Sequence, residues 1–142
     1  ERRQFVQKKL RNEYSTAVDF SITRQRAFWE KLNNCLVAVN VPGARNDILD
    51  RGQLQQMAFG ACTISPPLQI TLPYWRKLVP GEHYIACRPD YSDLTDVIEE
   101  CRLNREMCVE IGENAKQLFD ECMTPEKTLS WIWICMKESK WD

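Results

Sequence analysis

Two apolar runs, separated by a polar loop and a short helical segment, fill residues 36–66: LVAVNVPGARNDILDRGQLQQMAFGACTISP. The first run, Cys35–Val41, is almost uninterrupted, as in a strand covered on both faces of a parallel sheet. Pro42-Gly43 ends it. Gly52–Phe59 reads as a helix with Leu54, Met57 and Ala58 facing inward. Asp50 is placed to cap it, Gln53 occupies the capping-box position, and Gly60 stops it. Ala61–Ser65 is a second strand, and Pro66-Pro67 forces an extended exit. Strands that alternate with helices imply a parallel sheet with crossover connections, so this stretch commits the chain to an α/β fold.

The remaining pattern agrees. Residues 2–14 and Arg24–Asn34 carry apolar positions at helical spacing. Ala17–Ile22 alternates like a short strand, residues 74–79 suggest one helical turn, and His83–Cys87 reads as a buried strand. From there the chain is helical. Ser92 or Asp93 caps a helix through about Leu103, and Asn104 caps another through about Cys122. Thr124-Pro125 opens a last helix to about Ser139. The expectation is a single domain over residues 1–142, with three to four parallel strands and several C-terminal helices. The opening ERRQFVQKKLRNEY looks like the middle of a helix without an N-cap, as either an arbitrary cut in a longer chain or an upstream domain would explain.

Composition narrows the partners. The net charge is −1, without the strongly basic balance that tracks nucleic acid. Residues 90–142 are acidic, with six Lys/Arg against thirteen Asp/Glu, as expected of solvated helix faces. The seven cysteines include no C-x-x-C pair, and His83 is the single histidine, a poor inventory for structural zinc. Cys35, Cys62 and Cys87 sit in apolar runs, where Cys acts as a small hydrophobe, and a reducing, cytoplasmic setting is expected. No apolar run is long enough to span a bilayer.

Ligands of parallel sheets bind outside the carboxyl ends of the strands. Here those ends are Asn40–Arg51, Ser65–Thr71 and Arg88–Ser92. At the first, Arg45 and Arg51 bracket the loop before a helix N-terminus, where the N–H groups of Gly52, Gln53 and Leu54 favour an anion. Gly52 permits close approach to the backbone, and Asp47 and Asp50 are acceptors suited to sugar hydroxyls. The plainer reading is a surface loop with Asp50 as a simple cap. His83 reads as a strand histidine with one nitrogen satisfied. Trp131 and Trp133, two apart on a helix, face different ways.

The run GQLQQMAFGACTIS resembles the nucleotide-sugar segment of GT-B glycosyltransferases, in which two acidic residues eight apart precede an Ala-rich helical turn, a Gly and a strand. Alignment on Gly60 puts Asp47 and Gln55 at the two acidic positions. LVPGEHYIACRPDYSDLTDVIEEC and IGENAKQLFDECMTPEKTLSWIW are similar to later segments of the same superfamily, and HYIACRPDYSDL to the family 90 O-glucosyl and O-xylosyl transferases. The resemblance spans about residues 28–136. It implies a Rossmann-like, three-layer donor domain, and an enzyme moving a sugar from a nucleotide-diphosphate donor to an acceptor hydroxyl. It further implies Arg51, then Arg45, at the diphosphate beside Gly52, without a bound metal or other cofactor. Asp47, Gln53 and Gln55 become contacts to ribose or donor sugar, and Ser65 and Pro66 line the base side. The acceptor domain and any general base would lie in an N-terminal half outside this chain, toward which the last helix would cross. The alternative is a non-catalytic α/β interaction or ligand-binding module. A dinucleotide-binding dehydrogenase is disfavoured, because no G-x-G-x-x-G follows a strand.

Overall fold

The computed structural model describes residues 1–14, 19, 24–42 and 49–138. The expected strand at Ala17–Ile22, the loop positions Arg45 and Asp47, and the end of the last helix at Ser139 lie outside the described residues.

Among the described residues the fold is mixed α/β. In chain order the elements are α1 (Arg2–Glu13), α2 (Gln25–Asn34), β1 (Val37–Val39), α3 (Arg51–Ala58), β2 (Cys62–Ser65), a 3-10 turn (Pro73–Trp75), β3 (Ile85–Ala86), α4 (Leu94–Leu103), α5 (Arg105–Cys122) and α6 (Pro125–Glu138). The three strands form one sheet in the order β1-β2-β3, and both pairings are parallel. Strands are shorter than the apolar runs suggest: pairing in the first run covers only Val37–Val39, and β3 has two residues. Single backbone bonds extend the ladder at its carboxyl side. Asn40 N donates to Ile64 O at 2.8 Å, and Cys87 N to Ser65 O at 3.0 Å.

Register sorts the side chains. Val37 pairs with Cys62, Val39 with Ile64, and Ile64 with Ile85. These residues belong to a core built with Val6 and Leu10 of α1, Leu94, Ile98 and Cys101 of α4, and Cys108 and Ile111 of α5. Because successive strand residues point to opposite faces, Thr63, Ser65 and Ala86 turn the other way. Ala86 contributes there to a second core of Met57, Leu72, Leu78, Tyr84, Ala115, Leu118 and Cys122. Helix α5 serves both cores, using Cys108 and Ile111 in one and Ala115 and Leu118 in the other.

Two glycines let α5 meet the start of β2. Gly60 adopts φ +67°, the left-handed turn that ends α3. Gly112 of α5 lies so close that a Cβ there would sit 2.2 Å from the Gly60 carbonyl oxygen. At the other end of the sheet, Lys9 of α1 donates to the carbonyls of Tyr91 (3.2 Å) and Ser92 (2.7 Å), and Tyr14 donates to Glu99 at 2.6 Å. The N-terminal helix is thereby tied across α4.

Several local expectations hold. Asp50 caps α3, with its Oδ1 accepting from Gln53 N at 2.9 Å. Thr124 Oγ1 accepts from Lys127 N at 3.4 Å ahead of Pro125. The turn expected over 74–79 is instead a 3-10 turn at Pro73–Trp75, with Tyr74 and Trp75 in left-handed backbone conformations. Asp93 precedes α4 but its side chain does not cap it; Oδ1 accepts from Arg88 N at 2.8 Å instead. No helix among the described residues is long and apolar enough to cross a membrane.

Candidate functional site

The inward face of α3 differs from its expected composition. Met57 is buried, but its companions are Gln53 and Gln56, while Leu54 and Ala58 are only half-buried. The reason lies in β2. The strand face turned away from Cys62 and Ile64 presents Thr63 and Ser65, so the helix above it needs polar partners. Thr63 Oγ1 donates to Gln56 Oε1 at 3.2 Å. One helical turn earlier in α3 and two residues later in β2, the same alignment carries Gln53 toward Ser65.

This brings four polar residues to the carboxyl edge of the sheet. Asn40 follows β1, Ser65 ends β2, and Asp50 and Gln53 belong to the first turn of α3. Gln53 and Ser65 are fully buried (1% and 0% exposed) and Asn40 nearly so (4%). The backbone holding them is fixed: Asn40 N is bonded to β2, its carbonyl accepts from the buried Tyr91 hydroxyl at 3.0 Å, and the Ser65 carbonyl is bonded beyond β3. Burial pushes the Tyr91 hydroxyl well above its ordinary pKa, so it stays a donor to Asn40.

Their side chains, by contrast, lack partners. Asn40 Nδ2, Asp50 Oδ2, Gln53 Oε1 and Nε2, and Ser65 Oγ are all buried without a hydrogen bond among the described residues. A buried polar atom left so costs about 1–3 kcal/mol. Native interiors rarely carry more than a few such atoms per hundred residues, and here five of the six among the described residues belong to these four side chains, the sixth being Trp29 Nε1. Gly52 lies between them. A Cβ on it would approach Asp50 Oδ1 to 3.2 Å and Asn40 Oδ1 to 3.3 Å, so the backbone here packs closely against both side chains and favours glycine.

Of the residues expected at the site, Gly52, Gln53 and Ser65 come together here. Arg51, the first residue of α3, is exposed at the rim and makes no ion pair among the described residues. Gln55 is half-buried and stands two residues from Gln53, about 200° around the helix, so it faces away from the cluster. Arg45 and Asp47 lie outside the described residues. The three backbone donors expected for an anion are reduced, because Gln53 N is held by Asp50 Oδ1 and Leu54 N by the Asp50 carbonyl at 3.1 Å. The Asn40 side chain was not singled out by the sequence, although it is the one polar interruption of an apolar strand run, at its carboxyl end.

Other reactive groups are quiet. No disulfide joins the seven cysteines, and five of them, including Cys62, Cys101 and Cys108, are buried. Burial pushes the Cys87 and Cys101 thiols up to about 12, which removes thiolate character at neutral pH. Cys35 departs from the strand-core expectation: it follows α2 and is exposed. His83 Nδ1 accepts from Val79 N at 3.1 Å, and its Nε2 lies 3.6 Å from Glu82. Among the described residues no group of three or more His, Cys, Asp or Glu is arranged to hold a metal ion. A surface depression along α5, lined by Lys116, Asp120 and Lys127, is bordered by the Lys116–Asp120 ion pair and belongs to a solvated helix face.

No family model matches this chain, and no solved structure matches it. A segment of 56 residues is 44% identical to uncharacterized protein 035R of Invertebrate iridescent virus 3. That match covers 39% of this chain and 5% of the viral protein's length.

Proposed function

We propose that this chain is the donor-binding domain of a GT-B-like glycosyltransferase, taking a nucleotide-diphosphate sugar at the carboxyl edge of its sheet. The observation that carries this reading is the convergence of unpartnered, buried polar atoms from Asn40, Asp50, Gln53 and Ser65 at that edge. Parallel sheets use this edge for ligands because loops and helix N-termini gather there. The resemblance of GQLQQMAFGACTIS, LVPGEHYIACRPDYSDL and the closing helices to donor domains supplies the chemical class. A three-layer, Rossmann-like arrangement is part of the same reading. In it, Arg51 at the rim neutralises charge that develops on the leaving diphosphate. The acceptor and the general base belong to a partner domain.

The test is calorimetric titration of the diphosphates of uridine, guanosine and adenosine, and of their glucose conjugates. Selective binding to one base is expected, weakened about tenfold in Arg51→Ala, the loss of one charge-assisted phosphate contact. A folded protein that binds none of them would overturn the reading. The outcome would then favour a non-catalytic interaction module, to which the exposed apolar residues of α6 are suited.

A further inference from the structure

We propose that the loop 71–77 is an acid-released clamp on α6: a second proton on His83 loosens Arg76 from Glu121, and the loop tip lets go of Trp131. The device lies at the amino end of β3 and does not depend on what binds at the opposite edge of the sheet. Thr71 and Lys77 pair as an antiparallel bridge, and Leu72 N donates to Arg76 O at 2.8 Å. Leu72 and Leu78 are buried in the second core and anchor the two ends of the loop. The tip carries Tyr74 and Trp75, two successive aromatic residues in left-handed backbone conformations. Residues with a Cβ adopt that region at a cost, so the tip is held under strain. It grips α6 through the ring contacts with Trp131 and through the Tyr74 hydroxyl, which donates to the Lys127 carbonyl at 2.9 Å. No residue of α6 is buried, so its attachment depends on such contacts. Arg76 ties the tip to α5, with Nη2 2.8 Å from Glu121 Oε2.

His83 faces this tie. It is buried, and a cavity of about 90 Å³ lined by His83, Arg76, Glu82, Glu121, Asn114 and Gln117 joins it to the ion pair. Its Nδ1 accepts from Val79 N at 3.1 Å, so the neutral ring carries its proton on Nε2, which lies 3.6 Å from Glu82. A second proton must go to Nδ1, against the Val79 N–H, and the ring has to leave that contact. The cavity, room for about three waters, gives it space to turn. The charged groups around it are Glu82 on its own turn, Arg76 in the loop and Glu121 on α5. The two carboxylates attract an imidazolium, and the guanidinium is repelled by it. The Cys122 thiol beside Arg76 and Glu121 stays neutral, because burial raises its pKa. Gln117 Nε2 donates to Glu121 Oε1 at 2.9 Å, so the carboxylate stays at the cavity as Arg76 leaves. Loss of the Arg76 tie frees the strained tip. Burial lowers the His83 pKa below the ordinary 6.5, so the clamp is closed at neutral pH and opens on the acid side.

The chain has one histidine, so its ring signal is assigned without mutation. NMR follows that ring, the indole N–H signals and the backbone amides between pH 8 and 5, with the indoles assigned by single Trp→Phe replacements. The Trp75 and Trp131 indoles should move with the His83 ring at one midpoint below 6.5, while sheet amides such as Ile64 hold. In His83→Gln, which still accepts from Val79 N but takes no charge, both indoles should keep their neutral positions down to pH 5. Arg76→Gln should put them at their acid positions already at pH 8. It should also raise the His83 midpoint by about half a pH unit, and Glu121→Gln should lower it by about as much.

Indole signals that ignore the His83 titration, or that follow pH equally in His83→Gln, would overturn the proposal. So would a ring that does not titrate above pH 5, or loss of every amide signal at the same midpoint, which is global unfolding. Should His83→Gln fail to fold, as judged by circular dichroism, Arg76→Gln and Glu121→Gln change half-exposed side chains and carry the test. Midpoints that shift in the same direction in both, or in neither, would overturn it.

Discussion

Around Gln53 the chain hides polar atoms from water, whereas along α6 it shows water apolar ones. Both regions invert the usual partition, but the two inversions differ in cost. The atoms of Asn40, Asp50, Gln53 and Ser65 have left water without gaining partners, and each subtracts about 1–3 kcal/mol from the folded state. Leu129, Ile132, Trp133 and Met136 lie at helical spacing on one face of α6 and are 48–67% exposed. Their exposure in the folded chain resembles their exposure in the unfolded one, so it costs little. A costly inversion inside a rigid sheet edge points to a ligand more strongly than a cheap one on a surface helix.

The two regions share a platform, and the largest expected effect comes from breaking it. Gly112→Ala would drive a methyl into the Gly60 carbonyl, a backbone atom that cannot swing aside. It should destabilise the fold by about 3 kcal/mol or more, read by urea denaturation. If the edge and α6 belong to one cooperative unit, tryptophan fluorescence and far-UV circular dichroism will lose structure at the same urea concentration. Separate transitions would show that the regions can be compared only as independent parts.

Next in size is a comparison inside α3 itself. Gln53 and Gln56 are both buried on one helix face a turn apart, but Gln56 is paired with Thr63 and Gln53 is not. Gln56→Leu should cost about 1–2 kcal/mol, because it strips the Thr63 hydroxyl of its best acceptor. Gln53→Leu should leave thermal stability unchanged or raise it, since an unpaired amide gives way to methyl groups of similar volume. Equal losses in both variants would mean that Gln53 has a structural partner, and the contrast with α6 would fall.

This pair also marks what could be read from the sequence. The limits of α3 were legible because they depend on neighbours along the chain: Asp50 reaches Gln53 N three residues on, and Gly60 takes the positive φ that other residues avoid. The parallel strands were legible from apolar runs that need cover on both faces. The identity of the inward residues was not. Apolar periodicity favoured Leu54, Met57 and Ala58, but the helix faces Thr63 and Ser65 across a register that no local pattern encodes. The same holds for Gln55, whose alignment with an acidic motif position says nothing of the side of α3 on which it stands.

A smaller effect is expected from pH at His83, between the second core and the surface. Burial lowers its pKa below the ordinary 6.5, with Glu82 opposing. The geometry agrees, because Nδ1 accepts from Val79 N and a proton there would face that N–H. The unfolded chain therefore binds the proton first as pH falls. Stability from this group is present above about 6.5 and is lost as pH drops toward the lower folded value. The melting temperature should decline between pH 7 and 5, and His83→Gln should flatten part of that decline.

The smallest effect belongs to the exposed face of α6. Trp131, on another face, packs against Tyr74 and Trp75 with ring centroids 5.2 and 5.4 Å away. Those two residues hold left-handed backbone conformations, φ 57° and 58°, which the ring contacts help to hold together with the Tyr74 hydroxyl's bond to the Lys127 carbonyl at 2.9 Å. Trp131→Ala should therefore lower stability measurably. Leu129→Ser and Trp133→Ser touch side chains that are 67% and 59% exposed, and should stay within about 0.5 kcal/mol of wild type. Sedimentation of the Ser variants against wild type gives the sharper reading. If wild type self-associates and the variants do not, the stripe is covered by a second copy, and its exposure is a property of the single chain. If all remain monomeric with unchanged melting, α6 tolerates its inversion at almost no cost, and the polar edge around Gln53 stands as the costly one of the two.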